Sequence, residues 1–223
     1  MSDHSNSIAI VGGTGGLGGA LADRLARHGH EIIIGSRDAA KAELAAEALR
    51  KAIPDAADRI AGTDNVSAAR RGGTVVLTIP YGSHTQTLRE IEPVLAGKIL
   101  IDTTVCLNPP KVGTVQIPAE GSACVQAQAL LGPDVRVVAA FQNISALHLA
   151  GNEQLNCDVL VCADDVDARR EVVALVDTLG LKAWHAGPIA NSVGVEAMTS
   201  ILISINRGHK VSGAGVRILP AHT

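Results

Sequence analysis

Seven short runs of apolar, mostly β-branched residues punctuate the chain, at positions 8–11, 31–35, 74–79, 98–102, 135–140, 159–162 and 182–185. Between most of them apolar residues recur at helical spacing, over 17–28, 39–52, 85–95, 122–131 and 166–179. Short strands alternating with longer helices predict an α/β fold, a parallel sheet covered by helices on both faces. His28-Gly29-His30 closes the first helix just before the second strand, so the first crossover is short. The stretch 103–121 follows neither period and carries Pro109, Pro110 and Pro118. Long irregular loops after a sheet strand often carry function. Towards the end, Val195, Met198, Ile201, Leu202 and Ile205 stand at helical spacing within 191–206. That stripe faces either the core or a second copy of the chain.

Composition narrows the classes. With 223 residues and 47% hydrophobic content, the chain can bury one compact α/β domain with a small C-terminal addition. No apolar run reaches the roughly 18–20 residues of a membrane span, and residues 1–7 are polar, without a signal-peptide core. The expectation is a cytoplasmic protein with no membrane partner. A net charge of −3 gives no reason to expect nucleic acid. Cys106, Cys124, Cys157 and Cys162 lack metal-site spacing and read as small core thiols. Tyr81, Phe141 and Trp184 are the only aromatics, too few for a platform that stacks bases.

The chemistry begins where the first strand ends. Ile8-Ala9-Ile10-Val11 runs into Gly12-Gly13-Thr14-Gly15-Gly16-Leu17-Gly18, a Gly-x-Gly-x-x-Gly set between a strand and a helix. Gly13 is read as permitting the tight turn, Gly15 as admitting a pyrophosphate, and Gly18 as letting the helix lie against the strand. The anion would rest on free N–H groups at the helix start, where the macrodipole favours negative charge. This is a Rossmann-type dinucleotide site. Its preference shows after the second strand, where an acidic residue would hold a ribose hydroxyl. Here Gly35-Ser36-Arg37 stands instead, with Lys41 four residues on. A hydroxyl and two cations suit a 2′-phosphate, hence NADP(H). Asp38 is of the opposite sign, but it or Ser36 can cap the following helix. Thr78-Ile79-Pro80-Tyr81 leaves the sheet at the edge where such folds bind ligands, and Pro80 stiffens that turn. His84 follows, as a substrate contact or as the first residue of a helix.

These segments resemble the NADPH:F420 oxidoreductase family, the F420-dependent NADP reductases. The likeness runs through the glycine turn, Gly29-His30-Glu31-Ile32-Ile33-Ile34-Gly35-Ser36-Arg37, Leu77-Thr78-Ile79-Pro80 and Cys157-Asp158-Val159-Leu160-Val161-Cys162-Ala163-Asp164-Asp165. It closes with Ala186-Gly187-Pro188-Ile189-Ala190-Asn191-Ser192 and a last helix holding Glu196 and Thr199. The resemblance implies a doubly wound Rossmann domain over 1–150 and a small C-terminal α/β extension over 151–223 that completes the substrate cleft. It further implies a homodimer, and hydride transfer between NADP(H) and coenzyme F420 as co-substrate. It assigns Thr14, Gly15, Gly16 and Leu17 to the pyrophosphate, and Ser36, Arg37 and Lys41 to the 2′-phosphate. Ile79 falls beside the nicotinamide ribose, and Val105 and Ala146 line the stacked rings. The chain departs from the family with Gln142 for a His, Val193 for an Arg and Ala197 for a Ser, all on the acceptor side.

Two other readings stay open: an NADPH-dependent reductase of another small acceptor (an imine, a quinone or a pterin-like ring), and a non-catalytic NADP(H) sensor. Short-chain dehydrogenase chemistry is excluded, because it needs a Lys four residues after its Tyr and Tyr81 has Thr85 there. Should the acceptor need a proton donor, Tyr81, His84, Lys111 and His148 are the candidates.

Overall fold

A computed structural model describes residues 7–151 and 154–219. Six strands form one parallel sheet: β1 (Ser7–Val11), β2 (Glu31–Ser36), β3 (Ile60–Asp64), β4 (Thr74–Leu77), β5 (Ile99–Asp102) and β6 (Arg136–Ala139). Their order is β3-β2-β1-β4-β5-β6, with Ser7 opposite Glu31 and Ile8 opposite Thr74. The chain reverses direction of winding at β1, so a crevice opens between the carboxyl ends of β1 and β4. Five helices connect these strands: α1 (Gly16–Arg27), α2 (Ala39–Ala52), α3 (Asn65–Arg71), α4 (His84–Ile91) and α5 (Ala123–Leu131). Successive strand residues point to opposite faces. Ile8, Ile10, Ile32 and Ile34 therefore join one core with α1 and α2. Ala9, Val11, Ile33 and Leu77 join the other, with α3, α4 and α5. The doubly wound Rossmann architecture expected from the sequence is what the chain adopts.

Two of these elements have no counterpart in the apolar pattern. β3 is an edge strand in which only Ile60 is fully buried, so Ile60-Ala61-Gly62-Thr63-Asp64 shows no hydrophobic period. Gly62 is required there because a side chain would collide with the Ala42 carbonyl of α2. The helix that follows, α3, is only seven residues long. The helix expected over 85–95 instead ends at Ile91 and tightens into a 3-10 turn over Glu92–Val94, where Pro93 lacks an N–H.

The rest of the chain adds α6 (Ala146–Leu149), β7 (Asp158–Val161), α7 (Val166–Thr178), β8 (Lys182–His185) and α8 (Ser192–His209). β7 and β8 pair in parallel, and Cys162 bridges antiparallel to Ala139 of β6, through N–O distances of 2.8 and 3.1 Å. Val159, Val161, Val172 and Val176 complete the core of the first sheet face. The tail then returns along β7: Asp158 N–H donates to the Val216 carbonyl at 2.7 Å. Asp158 Oδ2 accepts Ile218 N–H at 2.8 Å and the Trp184 indole N–H at 2.7 Å.

α8 divides its apolar stripe. Val195 and Leu202 are buried, whereas Ile201 is 49% and Ile205 40% exposed. The segment Ile189–His209 holds an 18-residue stretch of mean hydropathy 1.2 and is, by length and composition, long and apolar enough to cross a membrane. This corrects the expectation that no such run exists; the small residues and Ser204 between its Ile, Leu and Val had broken the pattern. One face of the helix nevertheless meets the sheet domain, through Val195 in its core and Glu196 at the start of α5.

Candidate functional site

The β1–α1 turn is built for close approach. Gly12 holds φ +80°, and a Cβ there would stand 2.6 Å from the Thr78 carbonyl oxygen. The positive dihedral thus belongs to Gly12, one residue before the expected Gly13. Gly13 has a different duty: its N–H donates to the Ile10 and Gly35 carbonyls at 3.1 and 2.9 Å, wedging the turn between β1 and β2. Gly18 presses on the turn itself and on the residue just past β4, since a Cβ would lie 2.5 Å from Thr78 Oγ1 and 2.7 Å from Gly13 Cα. At the mouth, Gly15 caps α1 without a side chain, and the first turn carries no acidic residue. The leading N–H groups of a helix have no intrahelical acceptor. Gly15, at the head of α1, lines the crevice, where an anion such as a pyrophosphate would meet that helix start.

One cavity of about 570 Å³ connects this turn to the end of β2, lined by Gly12, Thr14, Gly15, Ser36, Arg37, Asp38 and Lys41. Ser36 is 8% exposed; its Oγ accepts the Asp38 N–H at 3.3 Å, which leaves its own proton free to donate into the cavity. Asp38 Oδ1 caps α2, accepting the Ala40 and Lys41 N–H groups at 3.0 and 3.3 Å. The acid beside the two cations is therefore a helix cap, and Arg37 and Lys41 face solvent at the cavity rim. The opposite wall is Thr78, Ile79, Pro80, Ser83 and Thr87. Asn65, the first residue of α3, completes the lining. It is 6% exposed, and its Oδ1 accepts Gly12 N–H at 3.3 Å. Asn65 escaped the sequence reading along with β3; the signal was Asp64-Asn65-Val66-Ser67, where Asp64 Oδ1 caps α3 by accepting Ser67 N–H at 2.9 Å.

The other named residues lie elsewhere. Gly13, Gly16 and Leu17 do not line this cavity, although Leu17 packs on the core beneath it. Ala146 begins α6 and packs against the same core, and Val105 is half-buried in the loop after β5. Neither shares the cofactor cavity. His84 and Gln142, read as substrate contacts, are 1% and 5% exposed and engage the protein instead. His84 Nε2 lies 2.7 Å from Asp102 Oδ2. Gln142 Nε2 donates to the Asp102 carbonyl at 2.8 Å. Phe141, just before it, sits at φ +71°, a strained conformation for a bulky residue that turns Gln142 and Asn143 inward.

A second cluster of buried polar residues joins positions that no sequence pattern links, His84, Ser122, Ser192 and Glu196 among them. Glu196 of α8 accepts the Ala123 and Cys124 N–H groups at 2.9 and 3.1 Å, closing the start of α5. Burial pushes its carboxyl up to about 7, against the pull of those two N–H groups. Ser122 Oγ, which accepts Val125 N–H, lies 2.7 Å from Ser192 Oγ. Burial opposes charge on His84, but Asp102, with smaller help from Glu196 and Gln126, outweighs it and holds the ring above its ordinary value. Tyr81 stacks near this ring, with centroids 6.2 Å apart. Burial and the neighbouring Cys106 push its phenol up to about 12, so it stays protonated.

A doubly wound sheet with an unblocked helix start, and a hydroxyl, a guanidinium and an ammonium rimming one cavity, defines an NADP-binding oxidoreductase of the Rossmann class. Residues 7–106 match the family described as "NADP oxidoreductase coenzyme F420-dependent". The chain is 36% identical over 219 residues to an F420-dependent NADP reductase of Methanocaldococcus jannaschii, covering 95% of this chain and 97% of that one. It is 38% identical over 218 residues to that of Methanothermobacter thermautotrophicus, covering 95% and 94%. A solved Arthrobacter sp. FB24 structure, described as a candidate F420-dependent NADP-reductase, superposes with a TM-score of 0.79. That pair is 25% identical, over 96% of this chain and 99% of the other. The chain belongs to the F420-dependent NADP reductase family.

Proposed function

We propose that this protein moves a hydride between the nicotinamide of NADP(H) and the deazaflavin of coenzyme F420. The observation that carries the cofactor half is the single cavity joining the glycine turn to Ser36, Arg37 and Lys41. The family and its relatives support the acceptor half. In the direction of deazaflavin reduction, NADPH gives a hydride to a ring carbon and a proton completes the acceptor at nitrogen. Hydride transfer between stacked rings depends on geometry and exclusion of water more than on an acid. Of the proton-donor candidates, His84 is sealed in the protein, Lys111 lies exposed on the 103–121 loop, and exposed His148 engages the Ser212 carbonyl. Tyr81, half-buried and protonated, fits a hydrogen-bond donor best.

The part of the chain from 151 onward is proposed to complete the acceptor cleft, with Val105 and Ala146 towards the rings. The 103–121 loop supports this by docking on α8, where Ser204 Oγ donates to the Gly113 carbonyl at 2.6 Å. Gly13, Gly16 and Leu17 shape or floor the pyrophosphate turn, and Ile79 and Pro80 back the nicotinamide ribose. We further propose a cytoplasmic homodimer joined through the exposed Ile201–Ile205 face of α8, without membrane or nucleic-acid partner. Mixing the protein with NADPH and coenzyme F420 should bleach the deazaflavin absorbance one-for-one with NADPH oxidation. No bleaching, together with turnover of an imine or quinone, would move the acceptor to that class. Tight NADPH binding with no turnover of any acceptor would make the protein a sensor.

A further inference from the structure

We propose that the buried His84–Asp102 pair is a positioning pair that couples the cofactor wall to the acceptor wall, and so holds the distance the hydride must cross. This rests on the reading just given. Among ion pairs joining described residues, this one alone is fully sealed, with both side chains 0% exposed. In every other such pair at least one side chain is 33% exposed or more. Sealing two ionisable groups carries a desolvation cost, and apolar replacements of equal volume are commonly neutral or stabilising. Fold stability alone is a weak reason for such a pair.

Its location supplies a better one. His84 opens α4, and its neighbours Ser83 and Thr87 line the cofactor cavity with Ile79 and Pro80. Asp102 ends β5 and acts in the opposite direction. Its Oδ1 accepts Thr104 N–H at 2.9 Å, which sets the path of the chain into Val105. Its backbone carbonyl accepts Gln142 Nε2 at 2.8 Å, which ties in the turn after β6. One 2.7 Å contact thus joins the wall that grips the cofactor to the two turns on the acceptor side. A shift of about 1 Å between reacting groups can cost on the order of a hundredfold in rate.

With NADPH and coenzyme F420 as substrates, His84→Leu is expected to lower kcat by roughly thirty- to a hundredfold while KM for NADPH stays within about threefold. His84→Gln, whose amide N–H can still reach the Asp102 carboxylate, is expected to recover to within about tenfold of wild type. With NADPH deuterated at the transferred position, the isotope effect of His84→Leu should depend more steeply on temperature than that of wild type. If His84→Leu does not fold, His84→Gln and Asp102→Asn carry the comparison. Each removes one ionisable partner of the pair while keeping a hydrogen bond across it, and each should lose about three- to tenfold in kcat with the same isotope signature. Unchanged kcat, a loss confined to KM for NADPH, or a wild-type temperature dependence overturns the inference. Wild type that moves no hydride to the deazaflavin overturns the acceptor reading itself, and this inference with it.

Discussion

Arg37 and Lys41 stand at the rim of the cofactor cavity, and the acid between them, Asp38, uses Oδ1 to cap the start of α2. A guanidinium that reads a phosphate should matter only when the phosphate is there. Arg37→Ala is therefore expected to raise KM for NADPH by about 10- to 100-fold, the worth of one charge-assisted pair at about 1.5–3 kcal/mol, while NADH kinetics change little. Steady-state kinetics with both nucleotides check this, and equal losses would remove Arg37 from the phosphate site. This corner was legible because a strand followed by a helix leaves few places for Ser36, Arg37 and Lys41 to go. The turn was legible to within one residue: the positive φ sits at Gly12, since Gly13 is occupied in bonding Ile10 and Gly35. Asn65, His84 and Gln142 were not placed from the sequence, because their roles depend on partners 53, 18 and 40 residues away.

Among elements, the junction of α5 with α8 shows how a helix start can be closed from outside its own sequence. Ser122 caps α5 locally, but the next two N–H groups take their acceptor from Glu196, about seventy residues on. Burial raises this carboxyl from an ordinary 4.5 to about 7, so between those values the folded protein binds more protons than the unfolded chain. Its contribution to stability is then full below about 4.5 and declines as pH rises through about 7. Glu196→Gln removes the titration. The stability of wild type relative to this variant should fall by up to about 3 kcal/mol between pH 4.5 and 7.5, read from urea midpoints. A difference that stays constant across that range would mean the carboxyl titrates normally. Element type was readable wherever apolar residues kept a period, as in α2, α7 and β8. β3 was missed because an edge strand with one buried residue has no period to detect.

At the scale of the molecule, alternation of strands and helices was enough to anticipate the sheet, and the right-handed crossover rule leaves few orders for it. What periodicity did not convey is how the C-terminal third attaches. It joins through a bridge from Cys162 to Ala139, through shared core residues, and through hydrogen bonds from α8 to the start of α5 and to the 103–121 loop. Nor did it divide the stripe of α8 into Val195 and Leu202 facing in and Ile201 and Ile205 facing out. If that outer face is the seam between two copies, Ile201→Glu should convert a sedimenting dimer to monomer at micromolar concentration with the fold intact by circular dichroism. Wild type that sediments as a monomer would dismiss the seam. The return of the tail to β7 bears on how the protein can be handled. One carboxylate, Asp158, grips both Trp184 and the backbone at Ile218. An affinity label, reporter fusion or surface tether attached at the carboxyl end would tug on the very residues that seat the last pair of strands, so attachment chemistry belongs on another face of the protein.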